Sequence, residues 1–431
     1  MLPRSRAVQT SRAKWMFGRR TFLKLSAALG LAGLASEVFG MLSPDYHEPP
    51  VTEDLRRKAL EGELPRRPLG KTGEKLSILG FGGFHLLEVS ESAAAELLNF
   101  YLDAGGNFVE TAIGYGDGDS ERKIGQVMRT RRGECFLSTK TQFRSRKEAA
   151  ASIDRSLQNL KTDHLDNVFM HCVSTERELS TIMSDDGSLR AAEDARKTGK
   201  VRFISITSHL PEVLLKAVKA YPFDAVMEWI NYYDCFNFPL IYDAIIPACV
   251  ERGIGIICMK PVADGLLWRP ESAANAFRWV WSMPEVTSAV AGNNRMHLLA
   301  SNLVLAKSFR PMTEREKQNL YLKAPELANY VCRRCRSCMP NNAGLDIPEI
   351  HRLEGYYDRQ MMPGPVMTLP DAELREGLND WFGNRAYARA AYAALDKKVA
   401  PDTDCSDVEP RCPYGLPITA KLKWIGRKLA S

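Results

Sequence analysis

Asn107-Phe-Val-Glu110-Thr111-Ala112-Ile113-Gly114-Tyr115-Gly116 reads as a short apolar strand that closes on a carboxylate and runs into a glycine-bounded loop carrying a phenol. An acid and a proton donor thus stand together at one strand's C-terminal end. Two later stretches repeat the pattern: Cys135-Phe-Leu-Ser-Thr-Lys140 ends in an amine, and Asn167-Val-Phe-Met-His171 ends in an imidazole. In a closed barrel of parallel strands all such ends face one mouth, which is where barrels of this kind carry their chemistry.

Strand and helix alternate on both sides of that stretch. Pro68-Leu-Gly70-Lys-Thr-Gly73 reads as a hairpin turn. Leu76-Ser-Ile-Leu-Gly80-Phe-Gly82-Gly83 reads as the first inward strand, its glycines leaving room for a ligand near the backbone. Ala94, Leu97, Leu98 and Tyr101 recur at helical spacing until Gly105-Gly106 stops the helix. Further strands are expected near 107–110, 135–140, 167–171, 201–206, 225–229, 255–259 and 288–291. Helical stretches at 120–131, 145–160, 189–198, 211–221, 239–252, 272–283 and 296–306 separate them. Eight strand–helix units over roughly 240 residues predict an α/β fold of the (β/α)8 TIM-barrel type. An open doubly wound sheet is the competing topology. No Gly-x-Gly-x-x-Gly follows the first strand, and the ionisable groups sit at several separate strand ends, both of which argue against it.

From Lys307 the alternation stops. Stretches 313–324 and 369–398 look helical, while the cysteine- and proline-rich pieces between and after them do not. The expected organisation is a leader at 1–40, a connector at 41–64, a barrel at 65–306 and a mostly helical, cysteine-containing appendage at 307–431.

The 45% hydrophobic content is ample for a core. The net charge of +6 is confined to the leader, where Arg4, Arg6, Arg12, Lys14, Arg19, Arg20 and Lys24 face Glu37 alone. The rest of the chain balances, which argues against a nucleic-acid partner. Gly18-Arg19-Arg20-Thr21-Phe22-Leu23-Lys24 resembles the twin-arginine export motif, and the apolar run Leu25 to Ala35 is too short to span a bilayer. That resemblance implies export of folded cargo by the twin-arginine machinery. The product would be periplasmic after cleavage before Ser36, or membrane-anchored and facing the periplasm.

Gly70-Lys-Thr-Gly73, the run 107–116, Leu137-Ser-Thr-Lys140 and His164-Leu-Asp166-Asn-Val-Phe-Met-His171 together resemble an aldo-keto reductase. Gly199-Lys200-Val-Arg-Phe-Ile-Ser-Ile-Thr207-Ser208-His209 and Met259-Lys260-Pro261 extend the likeness over about residues 65–306. It implies hydride transfer between a nicotinamide and a small carbonyl or alcohol substrate. Tyr115 would then be the general acid, Lys140 would favour its phenolate, His171 would orient the carbonyl, and Glu110 would hold Lys140. The family's usual aspartate is here Glu110, longer by one methylene. Thr207 and Ser208 fall where the family holds the nicotinamide amide. Lys260 and the stretch Gly292, Asn293, Asn294, Arg295 to Asn302 fall where it grips the rest of the dinucleotide. The basic residues that often select a 2′-phosphate would stand at Gly292 and Leu298, so NADP and NAD both remain open.

Five of the ten cysteines gather in the last hundred residues; Cys135, Cys172, Cys235, Cys249 and Cys258 are scattered through the barrel as ordinary thiols. Cys332-Arg-Arg-Cys335-Arg-Ser-Cys338 has the spacing that wraps three thiolates around a cubane, and Cys412-Pro413 supplies a fourth ligand before a proline. Both segments resemble the ferredoxin-like tail of some aldo-keto reductases. That likeness implies one [4Fe-4S] cluster on Cys332, Cys335, Cys338 and Cys412. Asn341 stands where another cysteine would be needed for a second cluster, and Cys405 is a spare ligand. A tetrahedral zinc site uses the same ligand types and is the alternative. The cluster could staple a tail that lacks its own core or pass electrons to a redox partner protein. A second function class therefore stands beside the reductase: an exported electron-transfer or binding subunit that no longer uses nicotinamide.

Overall fold

The computed structural model describes residues 50–267, 269–361 and 384–430. The leader at 1–40 and the first half of the expected 369–398 helix lie outside the described residues.

A hairpin of β1 (Arg66–Pro68) and β2 (Lys75–Ser77) precedes eight parallel strands that close into a barrel. These are β3 (Leu79–Gly82), β4 (Phe108–Glu110), β5 (Phe136–Thr141), β6 (Leu165–Met170), β7 (Val201–Thr207), β8 (Ala225–Trp229), β9 (Gly255–Met259) and β10 (Val286–Gly292). Neighbours follow the order of the chain, and β10 pairs with β3 to seal the cylinder. The (β/α)8 expectation is met. The alternation of each strand divides its side chains between two cores. Phe108, Phe136, Phe169, Met227, Ile257 and Val290 fill the cylinder. Val109, Leu137, Val168, Ile204, Val226 and Ile256 pack outward against the helices.

The expected first strand is in fact two. Residues 75–77 belong to the hairpin, and the barrel strand starts at Leu79. Leu69 and Leu76 insert into the inner core from the hairpin. Lys71 N–H donates to Gly253 O at 2.9 Å, beside the start of β9. At Gly70, with φ +51°, a Cβ would lie 2.4 Å from that same carbonyl, so only glycine permits the contact. The hairpin thereby plugs the N-terminal end of the barrel, and the opposite mouth is left for chemistry.

Glycines 80, 82 and 83 do not leave room for a ligand. A Cβ at Gly80 would meet Phe108 Cδ1 at 2.8 Å, at Gly82 the Ala291 carbonyl at 2.8 Å, and at Gly83 the Ser120 Oγ at 2.7 Å. Their small size serves strand and helix packing instead.

In the tail, helices Ile347–Asp358 and Ile418–Ala430 were not foreseen. Pro348 lies in the first turn, where a missing N–H costs nothing, and Asp346 caps the helix by accepting from Glu349 N–H. The helix Glu176–Met183 was missed as well. Tail and barrel pack together through the loop after β8. Tyr356 meets Phe238 at 5.1 Å between centroids, and Tyr321 meets Phe236 at 5.1 Å. Among the described residues no helix is long and apolar enough to cross a membrane.

Candidate active site

Parallel strands in one cylinder bring Glu110 at the end of β4, Lys140 in β5 and His171 just beyond β6 to the same mouth. Lys140 Nζ forms a buried ion pair with Glu110 Oε2 and donates to Thr111 O at 2.9 Å and to Tyr115 Oη at 3.0 Å. The His171 ring stands edge-on to Tyr115, with centroids 6.0 Å apart. Three neighbouring strand ends, those of β4, β5 and β6, therefore bring Glu110, Lys140 and His171 together around the Tyr115 phenol. The extra methylene of Glu110 is absorbed without loss of the lysine contact.

Burial dominates the electrostatics. It raises the Tyr115 pKa; Lys140 pulls it down, Glu110 pushes it up again, and the net direction is upward. Lys140 favours the phenolate, as expected, but desolvation, aided by the Glu110 charge, outweighs it, so the phenol keeps its proton. Burial also opposes the charge on Lys140, but Glu110 and Tyr115 outweigh it and hold the ammonium above its usual range. Burial, then Lys140 and His209, hold His171 well below the usual imidazole value. His171 is therefore neutral at pH 7, with one ring N–H to give to an acceptor.

The sequence had not pointed to the walls of this mouth. Phe84 lies edge-on to Tyr115 at 5.1 Å and is 46% exposed, and Leu87 beside it is 37% exposed. Two large apolar side chains left open next to a proton donor make an apolar lip. His209 stacks on Trp229 at 5.6 Å and holds Cys172 Sγ 3.4 Å from its Nδ1. An apolar Phe-x-x-Leu in a loop after a strand carries too little pattern to be recognised from sequence.

The residues expected to hold a dinucleotide surround the β7, β9 and β10 ends. Thr207 Oγ1 accepts from Cys172 N–H at 2.8 Å, and Ser208 Oγ is engaged with the backbone of Leu210, so both hydroxyls have protein partners. Lys260 Nζ lies 3.3 Å from Asp264 Oδ1, and burial lowers its pKa. A Cβ on Gly292 would meet the His85 ring at 2.2 Å. Asn294 Nδ2 donates to Glu88 at 2.6 Å, and Asn302 Nδ2 to Asn293 Oδ1 at 3.2 Å. Arg295 is the N-cap residue of the helix Met296–Lys307. The chemistry of this set suits a polyanionic dinucleotide: a buried lysine at the β9 end, with amides and a helix N-terminus at the β10 end.

In the tail, Cys332, Cys335, Cys338 and Cys412 line one small pocket. Cys405 is absent from its lining and buried elsewhere, its N–H bonded to Thr419 Oγ1. Arg334 and Arg336 adopt left-handed φ of 53° and 63°, which curls the loop around the cavity, and Arg334 N–H donates to Cys332 Sγ at 3.4 Å. His351 shares the wall; it is fully buried, with its Nδ1 3.8 Å from Glu354 Oε2. Among the described residues no three His, Cys, Asp or Glu side chains converge closely enough to hold a single metal ion. A cubane takes one thiolate on each of its four irons, whereas tetrahedral zinc needs all of them on one atom.

Comparisons with known proteins bear on the barrel. The aldo/keto reductase family profile matches residues 78–300. L-galactose dehydrogenase of Arabidopsis thaliana is 29% identical over 234 residues, spanning 49% of this chain and 71% of that protein. An NADP-dependent aldo-keto reductase of Schizosaccharomyces pombe is 29% identical over 223 residues, spanning 47% and 63% respectively. The structure of a Bacillus halodurans aldo-keto reductase in its holo form superposes with a TM-score of 0.53 at 23% identity, over 60% of this chain and 95% of that one.

Proposed function

The chain belongs to the aldo/keto reductase family of NAD(P)-dependent oxidoreductases, and on that footing we propose that it interconverts a small carbonyl compound and its alcohol at Tyr115. The observation that carries this reading is the hydrogen-bonded chain Tyr115–Lys140–Glu110 with His171 facing the same phenol. A bound nicotinamide supplies or accepts the hydride. Every other part falls to this chain's own residues. Neutral His171 directs its N–H at the carbonyl oxygen and fixes its orientation. Tyr115, kept protonated by burial, gives its proton to that oxygen as negative charge develops there. Lys140 stabilises the phenolate left behind, and Glu110 keeps Lys140 charged and in place. Phe84 and Leu87 exclude water and favour a substrate with an apolar side. Lys260 and the Gly292–Asn302 stretch hold the dinucleotide.

The proposal includes one [4Fe-4S] cluster on Cys332, Cys335, Cys338 and Cys412, supported by the pocket that all four line. Such a cluster supplies one-electron chemistry and a covalent staple for the tail. Export by the twin-arginine route to the periplasm is part of the same proposal and rests on residues 18–24.

A second reading, an electron-transfer subunit without nicotinamide, draws on one observation: the hydroxyls of Thr207 and Ser208 are already engaged by protein. Equilibrium binding of NADPH and NADH to the purified chain separates the two. Binding supports hydride transfer, and its absence for both dinucleotides supports the electron-transfer reading.

A further inference from the structure

A buried turn of the tail reaches the barrel's mouth. Arg359 and Gln360 follow the helix Ile347–Asp358, both with left-handed φ, 60° and 54°, and both essentially without solvent exposure. Arg359 clamps Asp234, in the loop after β8, with two hydrogen bonds at 2.9 and 2.6 Å. Its remaining fork nitrogen lies 3.3 Å from Asp264 Oδ2, in the loop after β9. Both carboxylates continue to Lys260. Asp264 Oδ1 pairs with Lys260 Nζ at 3.3 Å. Asp234 Oδ2 accepts from Asn231 Nδ2, which also donates to the Lys260 carbonyl at 3.2 Å. Lys260, Ala263 and Asp264 all have positive φ, so the loop bearing the lysine is held in a conformation that outside contacts must enforce.

Gln360 ties the same turn to the cysteine loop. Its Oε1 accepts from Cys332 N–H at 3.1 Å and from Lys421 Nζ at 3.1 Å, while its Nε2 donates to Asn237 Oδ1 at 2.9 Å. Two adjacent residues thus join the cysteine loop to the strand end that carries Lys260.

We propose that Arg359, a residue of the tail, is the positioning residue that makes Lys260 competent to bind a phosphate of the dinucleotide. Two cations, Lys260 and Arg359, face two carboxylates, Asp234 and Asp264. With Arg359 present, the charge of Asp264 is shared between two cations. Without it, Asp264 neutralises Lys260 by itself and Asp234 becomes an uncompensated anion at the mouth, which repels phosphate. The tail is therefore part of the dinucleotide grip of the barrel rather than an independent module. This inference rests on the hydride-transfer reading of the site.

The test is dinucleotide affinity of the full-length, cluster-loaded chain, read by fluorescence titration with NADPH and NADH alongside iron content. Arg359→Met is expected to weaken NADPH binding about tenfold or more, with iron unchanged, while Arg359→Lys stays within about threefold of wild type. The double variant Arg359→Met/Asp264→Asn restores the local charge balance and is expected to recover affinity to within about threefold; a merely structural arginine would not be rescued by removing its partner. Should Arg359→Met fail to fold, Asp264→Asn decides, because freeing Lys260 of its carboxylate must leave binding at least as tight as in wild type. Weaker binding there overturns the inference, as does an Arg359→Met chain that binds like wild type or a double variant no better than the single. A wild-type chain that binds neither dinucleotide overturns this inference and the hydride-transfer reading together; loss confined to the comparisons above overturns this inference alone.

Discussion

Glu110 and Lys140 form an ion pair between neighbouring strands at the barrel mouth, with side-chain exposures of only 6% and 2%. Such a pair does little for stability as a unit, yet breaking one side leaves an uncompensated charge. Glu110→Gln is therefore expected to destabilise the chain by about 3–5 kcal/mol and to lower the Lys140 pKa. Urea unfolding of the variant against wild type measures the first effect. A loss well under about 1 kcal/mol would show that solvent or other groups compensate Lys140.

The pH dependence of stability follows from the same burial. The folded-state pKa of Lys140 lies above its unfolded value, so its contribution is complete below about pH 10 and disappears as pH rises through the folded pKa. His171 and His209 are depressed by burial, His209 to about 3. Below about pH 6.5 the unfolded chain takes up protons that the native site refuses, and stability falls with falling pH. Unfolding midpoints measured at about pH 5 and about pH 8 should differ, with the higher value at about pH 8. Equal midpoints would mean that both imidazoles are more solvated than their packing indicates.

For the tail, Cys338→Ala should strip iron from anaerobically purified protein while the barrel keeps its circular-dichroism spectrum. Cys405→Ser should leave iron content unchanged, since Cys405 does not line the cavity. Full iron in the first variant, or loss in the second, reverses the ligand assignment. Wild-type protein is expected to be brown; a colourless protein containing zinc would refute the cluster.

Phe84 offers a test of the apolar lip. Its ring touches Tyr115 edge-on while nearly half of its surface faces outward. Phe84→Ala is expected to raise KM for an aromatic aldehyde about tenfold and to change kcat much less, because uniform binding is lost rather than transition-state contacts. Steady-state kinetics would reject this role if kcat fell and KM stayed constant.

Much of this was legible in the sequence where periodicity and strand-end chemistry coincide. Glu110, Lys140 and His171 each close an apolar run, and parallel strands leave such residues no other place to meet. The hairpin turn at Gly70 was equally plain. What escaped was set by partners distant in the chain. Nothing near Arg359 announces Asp234 and Asp264, and nothing near Gly80 announces that Phe108 fills the space a ligand was expected to use. The sign of the Tyr115 shift escaped for a similar reason. Spacing shows which charges are near, but only packing shows that desolvation outweighs Lys140. Helix Ile347–Asp358 was lost because a first-turn proline and a breaking proline look alike until the capping aspartate is seen in place.

The most direct test of the account is Tyr115→Phe, which removes one oxygen from the phenol that Lys140 contacts at 3.0 Å and leaves the ring in place. Its single-turnover hydride-transfer rate should fall by about 10²–10⁴-fold. Its dinucleotide affinity should match that of wild type. A variant that transfers hydride at the wild-type rate while binding the dinucleotide normally would contradict the assignment of Tyr115 as proton donor.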